Sequence, residues 1–95
     1  MRDDAYQSRL FLLGKVVATQ GAMKATTEYE RNLFLHRHQI GDWSETPQVG
    51  RAENTLAILK GFRVLSHHKS RRGETVWIIT EADRSITTLL LPEEY

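Results

Sequence analysis

The spacing of apolar residues divides the chain into a helical first part and a β-rich last part. Up to Gly61 apolar residues recur at helical spacing, whereas residues 62–68, 74–81 and 85–91 alternate with a period of two and are rich in β-branched and aromatic residues. The segments between these runs have the length of hairpin turns. We therefore predict an α+β domain, with helices packed on one face of a C-terminal antiparallel meander. Residues 15–19 are a candidate fourth strand.

The first long helix is predicted from its end signals. Thr27 and Glu30 have the spacing of a capping box, so a helix should begin at residue 27, and Gly41 is its natural stop. At 100° per residue one face carries the expected core residues, Tyr29, Leu33, His36 and Ile40. A shorter helical piece is expected over residues 22–25.

A second long helix is predicted to begin with Thr46 as N-cap and Pro47 in the first helical position, and to end before Gly61. Its helical stripe contains Val49, Ala52, Leu56 and Leu59, and Ile58 falls outside it. We expect this stripe to pack against the sheet.

The sequence FLHRHQIGDW, residues 34–43, contains two histidines at positions i and i+2. On a helix these side chains point about 200° apart, so His36 and His38 cannot bind one metal ion together, and no metal site is predicted. Both lie in the last turn, where the helix dipole favours a positive imidazolium, and His36 is expected to be a hydrogen-bonded core residue. His38 lies on the side of Phe34 and Leu35, so the helix is either sandwiched between two layers or uses that face to dock a partner.

Composition limits the function classes. The 95 residues are enough for one domain, 1–95, with residues 1–13 as a flexible or helical N-terminal arm. A formal charge of +1 argues against the uniform positive field of a non-specific nucleic-acid binder. The sequence has no cysteine, and the apolar run over residues 10–13 is too short for export or membrane spanning. We expect a cytoplasmic protein that needs no cofactor.

Residues 60–72 contain five Lys or Arg and two His but no acidic residue. One interpretation is a solvated strand edge that prevents sheet-to-sheet aggregation. The other is a surface that binds an acidic partner, which is the site we predict. Its candidate residues are Arg63, His67, His68, Lys69, Arg71 and Arg72, together with Phe34 and Leu35 of the helix. Stacking of nucleic-acid bases is weakly supported, because Phe62 and Trp77 fit the core better.

A catalytic alternative is a metal-independent endoribonuclease similar to the barnase and colicin-type toxins, in which helices also precede an antiparallel sheet. In that hypothesis His36 or His38 is the general base, Arg84 binds the phosphate, and Thr87 or Thr88 orients it. A non-catalytic binding protein is favoured over this alternative, since no complete catalytic set is visible in the sequence.

Four segments resemble a family of small uncharacterised proteins of plasmids and other mobile elements: LGKVVAT, LHRHQIGDW, AENTLAILKGFRVLS and WIITEADRSITTLLLPEEY. Members are loosely labelled "plasmid-related protein" or "type I restriction subunit M". The second label is not literal, because 95 residues hold neither a methyltransferase fold nor its cofactor loop. The resemblance implies an accessory protein that binds a larger complex with an acidic surface, such as an anti-CRISPR or anti-restriction inhibitor, and a dimer is compatible with it.

Overall fold

The structure, a computed structural model, describes residues 8–95. The domain is α+β, as predicted, with one strand before the helices and three after them. In chain order the elements are β1 (Lys15–Ala18), α1 (Gln20–Ala25), α2 (Glu28–Ile40), α3 (Gln48–Lys60), β2 (Val64–Lys69), β3 (Thr75–Thr80), β4 (Ile86–Leu90) and a final 3-10 turn (Pro92–Glu94).

The four strands form one sheet in the order β1-β4-β3-β2. β2, β3 and β4 are the predicted antiparallel meander. The candidate fourth strand joins at the other edge, but it runs parallel to β4, with Lys15 beside Ile86. A parallel neighbour requires a long crossover, and the helices together with the meander supply it.

The main core lies between the inner face of the sheet and the helices α1 and α2. Its buried residues are Ala22, Phe34, Val76, Ile78 and Leu89. Inward positions of the strands also carry polar residues, because Ser66, His68, Thr80 and Thr87 are buried there. The inner face of the sheet is therefore partly polar, and those residues need partners inside the protein.

The ends of α2 agree with the prediction. The Thr27 hydroxyl accepts from the Glu30 amide at 3.1 Å, the reciprocal bond of the capping box is present, and Gly41 closes the helix in the left-handed conformation.

The predicted core face of α2 is wrong, since Tyr29 is 76% exposed and Leu33 is 39% exposed. The buried residues are Glu30, Phe34 and His38. Two of these three are polar, and hydrophobic periodicity cannot identify a buried face whose members are satisfied by hydrogen bonds.

The apolar stripe of α3 also lies on the surface, contrary to the prediction. Val49 is 70%, Leu56 47% and Leu59 76% exposed, and Ala52 is exposed as well. The helix is buried instead through Asn54 and Ala57. Ile58 packs against a second core cluster, formed by Phe11, Trp43, Ala57 and Val64. α3 lies beside the edge strand β2, so only a narrow face of the helix is covered.

The start of α3 differs from the prediction by one residue, because Pro47 is the N-cap. The Thr46 hydroxyl, expected to cap the helix, accepts from the His67 backbone amide at 3.0 Å instead.

Residues 8–13, the described part of the predicted arm, form neither helix nor strand. The Leu10 amide donates to the Gln39 carbonyl at 2.9 Å, and Phe11 is buried in the second core cluster. Residues 1–7 lie outside the described part of the chain.

Candidate functional site

His38 is the centre of a buried polar network that joins α2 to three strands. Its Nδ1 atom lies 2.6 Å from the Ser66 hydroxyl, and its Nε2 atom lies 2.9 Å from the Thr80 hydroxyl. The Ser66 hydroxyl is also 2.7 Å from Nε2 of His68, and the Thr80 hydroxyl is 2.7 Å from that of Thr87. All five side chains are buried.

The direction of every bond in the network follows from its last acceptor. The Thr87 hydroxyl donates to the backbone carbonyl of Leu13 at 2.7 Å, so its oxygen must accept from Thr80. The only hydroxyl proton of Thr80 is then used, and Nε2 of His38 must donate to it. Nδ1 of neutral His38 is therefore an acceptor for Ser66. Because Ser66 donates to His38, it accepts from Nε2 of His68, and this chain of bonds assigns both tautomers.

Both imidazoles are held neutral by burial. Loss of hydration lowers the pKa of His38 to about 3, and the neighbouring His68 and the positive charge of Arg84 act in the same direction. Burial also lowers the pKa of His68 to about 3, with the Arg37 guanidinium contributing. The expectation that His38 is a cation favoured by the helix dipole is therefore not met.

Aromatic rings enclose the two imidazoles. Phe11 meets the His38 ring edge to face at 5.2 Å, and Phe34 stacks on His68 at 5.1 Å. Nδ1 of His68 is buried and has no hydrogen-bond partner among residues 8–95. The indole N–H of Trp43 donates to the His38 carbonyl at 2.9 Å, which anchors the loop after α2. The two imidazoles are therefore packed inside the core and have no surface exposed to solvent.

Arg84, the predicted phosphate-binding residue, connects the β3–β4 turn to the end of α3. Its guanidinium donates to the carbonyls of Phe62 at 2.7 Å, Glu81 at 3.1 Å and Ala57 at 3.4 Å, and lies over the Phe11 ring. Its backbone has a positive φ of 61°, which is uncommon for a residue with a side chain. Both terminal nitrogens of the guanidinium therefore bind backbone carbonyls and hold the turn.

The other residues of the nuclease hypothesis are not brought together. His38 and Thr87 are fully buried, whereas Thr88 lies on the opposite face of the sheet, paired with Ile79. His36 is half-buried, and its Nε2 atom has no partner within residues 8–95. No arrangement of a base, a cation and a hydroxyl around one accessible point results from these positions.

The outer edge of β2 is covered rather than solvated. The Asn54 side chain accepts from the Leu65 amide at 3.0 Å and donates to the Leu65 carbonyl at 2.7 Å, as a neighbouring strand would. The His67 amide is satisfied by Thr46. Because side chains occupy these backbone groups, a strand from another molecule cannot pair there.

The predicted partner-binding residues divide into separate groups. Arg63 and His67 lie on the outer face, where Arg63 bonds the Tyr95 hydroxyl at 2.8 Å and pairs with Glu81, and His67 stacks on Trp77. Two members are buried in this fold: Phe34 is 3% and His68 0% exposed. Leu35 is half-buried and packs against the core, so the predicted face of α2 offers little exposed surface.

Lys69, Arg71 and Arg72 remain together at the β2–β3 turn, next to the first half of α2. The carboxylate of Glu30 brings these elements together, since it accepts from the Arg71 amide at 2.7 Å and the Thr27 amide at 3.0 Å. These two hydrogen bonds lower the pKa of Glu30, and the bond from the Arg71 amide has the larger effect. Arg72 donates to the Lys24 carbonyl at 3.2 Å and lies at the far side of the turn.

A surface groove separates α2 from β2 and the β2–β3 turn. We call it the basic groove; its volume is about 620 Å³, and it is lined by Thr27, Tyr29, Glu30, Leu33, Phe34, Arg37, Lys69 and Arg71. Arg37 is held by ion pairs to Asp42 and Glu45. The cationic groups of Lys69 and Arg71 form no ion pair with a carboxylate of residues 8–95.

Comparison with known proteins identifies no relative of this chain. No protein-family model, curated protein sequence or solved structure matches this chain. Across residues 8–95, no helix is long and apolar enough to cross a membrane. That same part of the chain contains no cluster of three His, Cys, Asp or Glu side chains that could hold a metal ion.

The sequence interpretation missed the histidine network, although one pattern could have revealed it. Ser66 and His68 follow Val64 at even spacing, so all three point to the same face of β2. Since Val64 is a core residue, the two polar residues had to be buried and paired.

Proposed function

We propose that this protein is a non-catalytic binding protein, and that the basic groove recognises an acidic surface of a larger protein complex. One observation carries this proposal: Lys69 and Arg71, which form no ion pair within residues 8–95, border the same groove as the exposed apolar side chains Tyr29 and Leu33. A tyrosine flanked by cations resembles the composition of binding hot spots.

The backbone around the groove is well fixed before any partner binds. Glu30 ties the β2–β3 turn to the first turn of α2, and the amide of Lys69 donates to Glu45 at 3.1 Å. A preformed site loses little conformational entropy on binding. The two cations would accelerate encounter with an acidic surface and make the affinity dependent on salt.

The identity of the partner is proposed from the resemblance to mobile-element proteins. A complex of a host defence system, either a CRISPR effector or a restriction enzyme, is the kind of target that such an accessory protein would inhibit by occupying its surface. The observed groove supports binding in general, and the resemblance alone supports this choice of partner.

The ribonuclease alternative receives no comparable support. His38 and Thr87 are fully buried, and Arg84 is occupied by backbone carbonyls. A general base must reach the proton that it removes, and a residue enclosed by Phe11 and the sheet cannot do so without unfolding.

Affinity purification of the tagged protein, expressed in cells of the kind that naturally carry it, tests the proposal. We expect one stoichiometric multi-subunit complex, identified by mass spectrometry, which is lost when Lys69→Glu and Arg71→Glu are combined. These changes leave the backbone bonds of both residues in place. The matched control is Arg9→Glu with Lys15→Glu, which makes the same change in net charge at exposed residues elsewhere.

For the partner once identified, the Kd measured by calorimetry should rise at least about 100-fold in the Lys69/Arg71 variant, and less than about threefold in the control. Binding that survives the double charge reversal contradicts the proposal. So does an eluate without a protein partner in which RNA is degraded, if that degradation disappears in His36→Ala.

A further inference from the structure

We propose that the exposed apolar stripe of α3, formed by Val49, Ala52, Leu56 and Leu59, pairs with the same stripe of a second copy to form a two-fold antiparallel dimer. This inference is independent of the basic groove, which is built from α2 and β2.

The stripe has the spacing of a helix-pairing seam. Its residues are separated by three, four and three positions, which is the alternation found where two helices pack along their length. At 100° per residue the stripe is centred about 150° from the buried side chains Asn54 and Ala57. Most of the apolar face therefore points away from the protein's own core.

Other exposed or partly exposed apolar residues lie near both ends of the stripe. Phe62, just past the helix end, is 53% exposed, and a groove beside Val49 is lined by Leu65 and Trp77 on the outer face of the sheet. Scattered exposed leucines are ordinary, but a contiguous apolar patch on a helix marks an interaction site. A second helix laid along the stripe would bury Leu56 and Leu59 in both molecules.

The charges beside the stripe favour a second copy in antiparallel orientation. Glu53 and Lys60 lie on the same flank, seven positions apart. In an antiparallel pair that flank faces its own equivalent. When Leu56 packs on Leu59 of the second copy, Glu53 lies across from Lys60 of the second copy, and the two-fold axis repeats the attraction.

A parallel pair lacks this complementarity. It would place the flank of Glu53 and Lys60 against the other flank of the second copy, which carries the uncharged residues Gln48 and Thr55. The contact area of one helix pair with adjacent loop residues is at the small end for stable dimers, so we expect a Kd on the order of micromolar.

Sedimentation equilibrium over about 1 to 200 µM protein, a range that brackets this affinity, tests the dimer. The unaltered protein should shift from monomer to dimer, and Leu59→Glu should raise the Kd at least about 100-fold. Because Leu59 is 76% exposed, the fold should be retained, which circular dichroism checks. The control is Met23→Glu, a change at another exposed apolar residue, on α1, which should leave the Kd unchanged.

Charge exchange tests the orientation. Glu53→Lys and Lys60→Glu should each weaken the dimer about three- to tenfold, and the two together should restore it. A protein that stays monomeric at all concentrations overturns the proposal, as does a dimer insensitive to Leu59→Glu. If the double exchange fails to restore the dimer, the antiparallel pairing is wrong.

Discussion

The Nδ1 atom of His38 accepts a 2.6 Å hydrogen bond from the hydroxyl of Ser66, which joins the last turn of α2 to the edge strand β2. The other ring nitrogen bonds Thr80 on β3, so a single imidazole connects the helix to two strands. Inside the core such bonds are costly to break, because each abandoned partner stays buried and unsatisfied.

Replacing His38 by alanine should therefore destabilise the protein by about 3–5 kcal/mol, because it leaves a cavity and removes one buried hydrogen bond from each of Ser66 and Thr80. The matched control is His36→Ala on the same helix, whose half-buried ring has an Nε2 atom without a partner within residues 8–95. It should cost less than about 1.5 kcal/mol. Urea unfolding followed by circular dichroism gives both values, and equal losses would contradict a structural role for the network.

Stability should fall as the solution becomes mildly acidic. The folded-state pKa values of His38 and His68 are about 3, well below the value of about 6.5 in an unfolded chain. The unfolded chain therefore binds more protons between these values, and the stability present above pH 6.5 is lost as pH falls toward 3.

At pH 5 the free energy of unfolding should be lower than at neutral pH by about 2 kcal/mol for each of these two histidines. Urea midpoints between pH 7.5 and 5 measure the loss, and NMR titration of the ring protons identifies the groups. Imidazole signals of His38 that titrate near pH 6.5 in the folded protein would show that the ring is not enclosed as described.

Removing the side chain that covers the edge of β2 should have two effects. Asn54→Ala leaves the amide and carbonyl of Leu65 unpaired, which should cost about 2 kcal/mol and expose a strand edge. We expect increased light scattering on heating. Thr55→Ala, at the exposed neighbouring position, provides the control. An unchanged unfolding midpoint for Asn54→Ala would show that its side chain does not protect the strand edge.

Gly14 should be far more sensitive to substitution than Gly73, although both have positive φ values, 65° and 87°. A Cβ at Gly14 would meet the carbonyl oxygens of Arg84 and Ser85, whereas nothing lies within 4 Å of one at Gly73. Gly73→Ala should cost about 1 kcal/mol for its backbone conformation, and Gly14→Ala at least about 3 kcal/mol. Thermal unfolding separates the two, and similar losses would mean that the β3–β4 turn yields easily.

The parts of the fold that depend on local chemistry could be predicted from the sequence. The capping box at Thr27, the stop at Gly41 and the three meander strands each follow from a few neighbouring residues. The parallel orientation of β1 could not, because it depends on where the helices return the chain.

The prediction of the buried helix faces was wrong for a different reason. Periodicity assumes that apolar residues face the chain's own core, but His38 is buried by partners on distant strands, and Leu59 lies on the surface. Of the candidate site residues, Lys69 and Arg71 border the basic groove, Phe34 lines it with only 3% of its surface exposed, and His68 is fully buried. Sequence shows the charge of a segment, but the strand register decides which side chains point outward.

The pairing of β1 with β4 constrains how the protein can fold during synthesis. In the sheet, β1 is an edge strand whose neighbour is β4, and Lys15 is made long before its partner Ile86. The carbonyl of Leu13, which fixes the direction of the histidine network, likewise has no hydrogen bond from Thr87 until that residue has been synthesised. A nascent chain on the ribosome can form α2 and α3 early, but it cannot close its core until β4 has emerged, so the buried histidines stay hydrated until then.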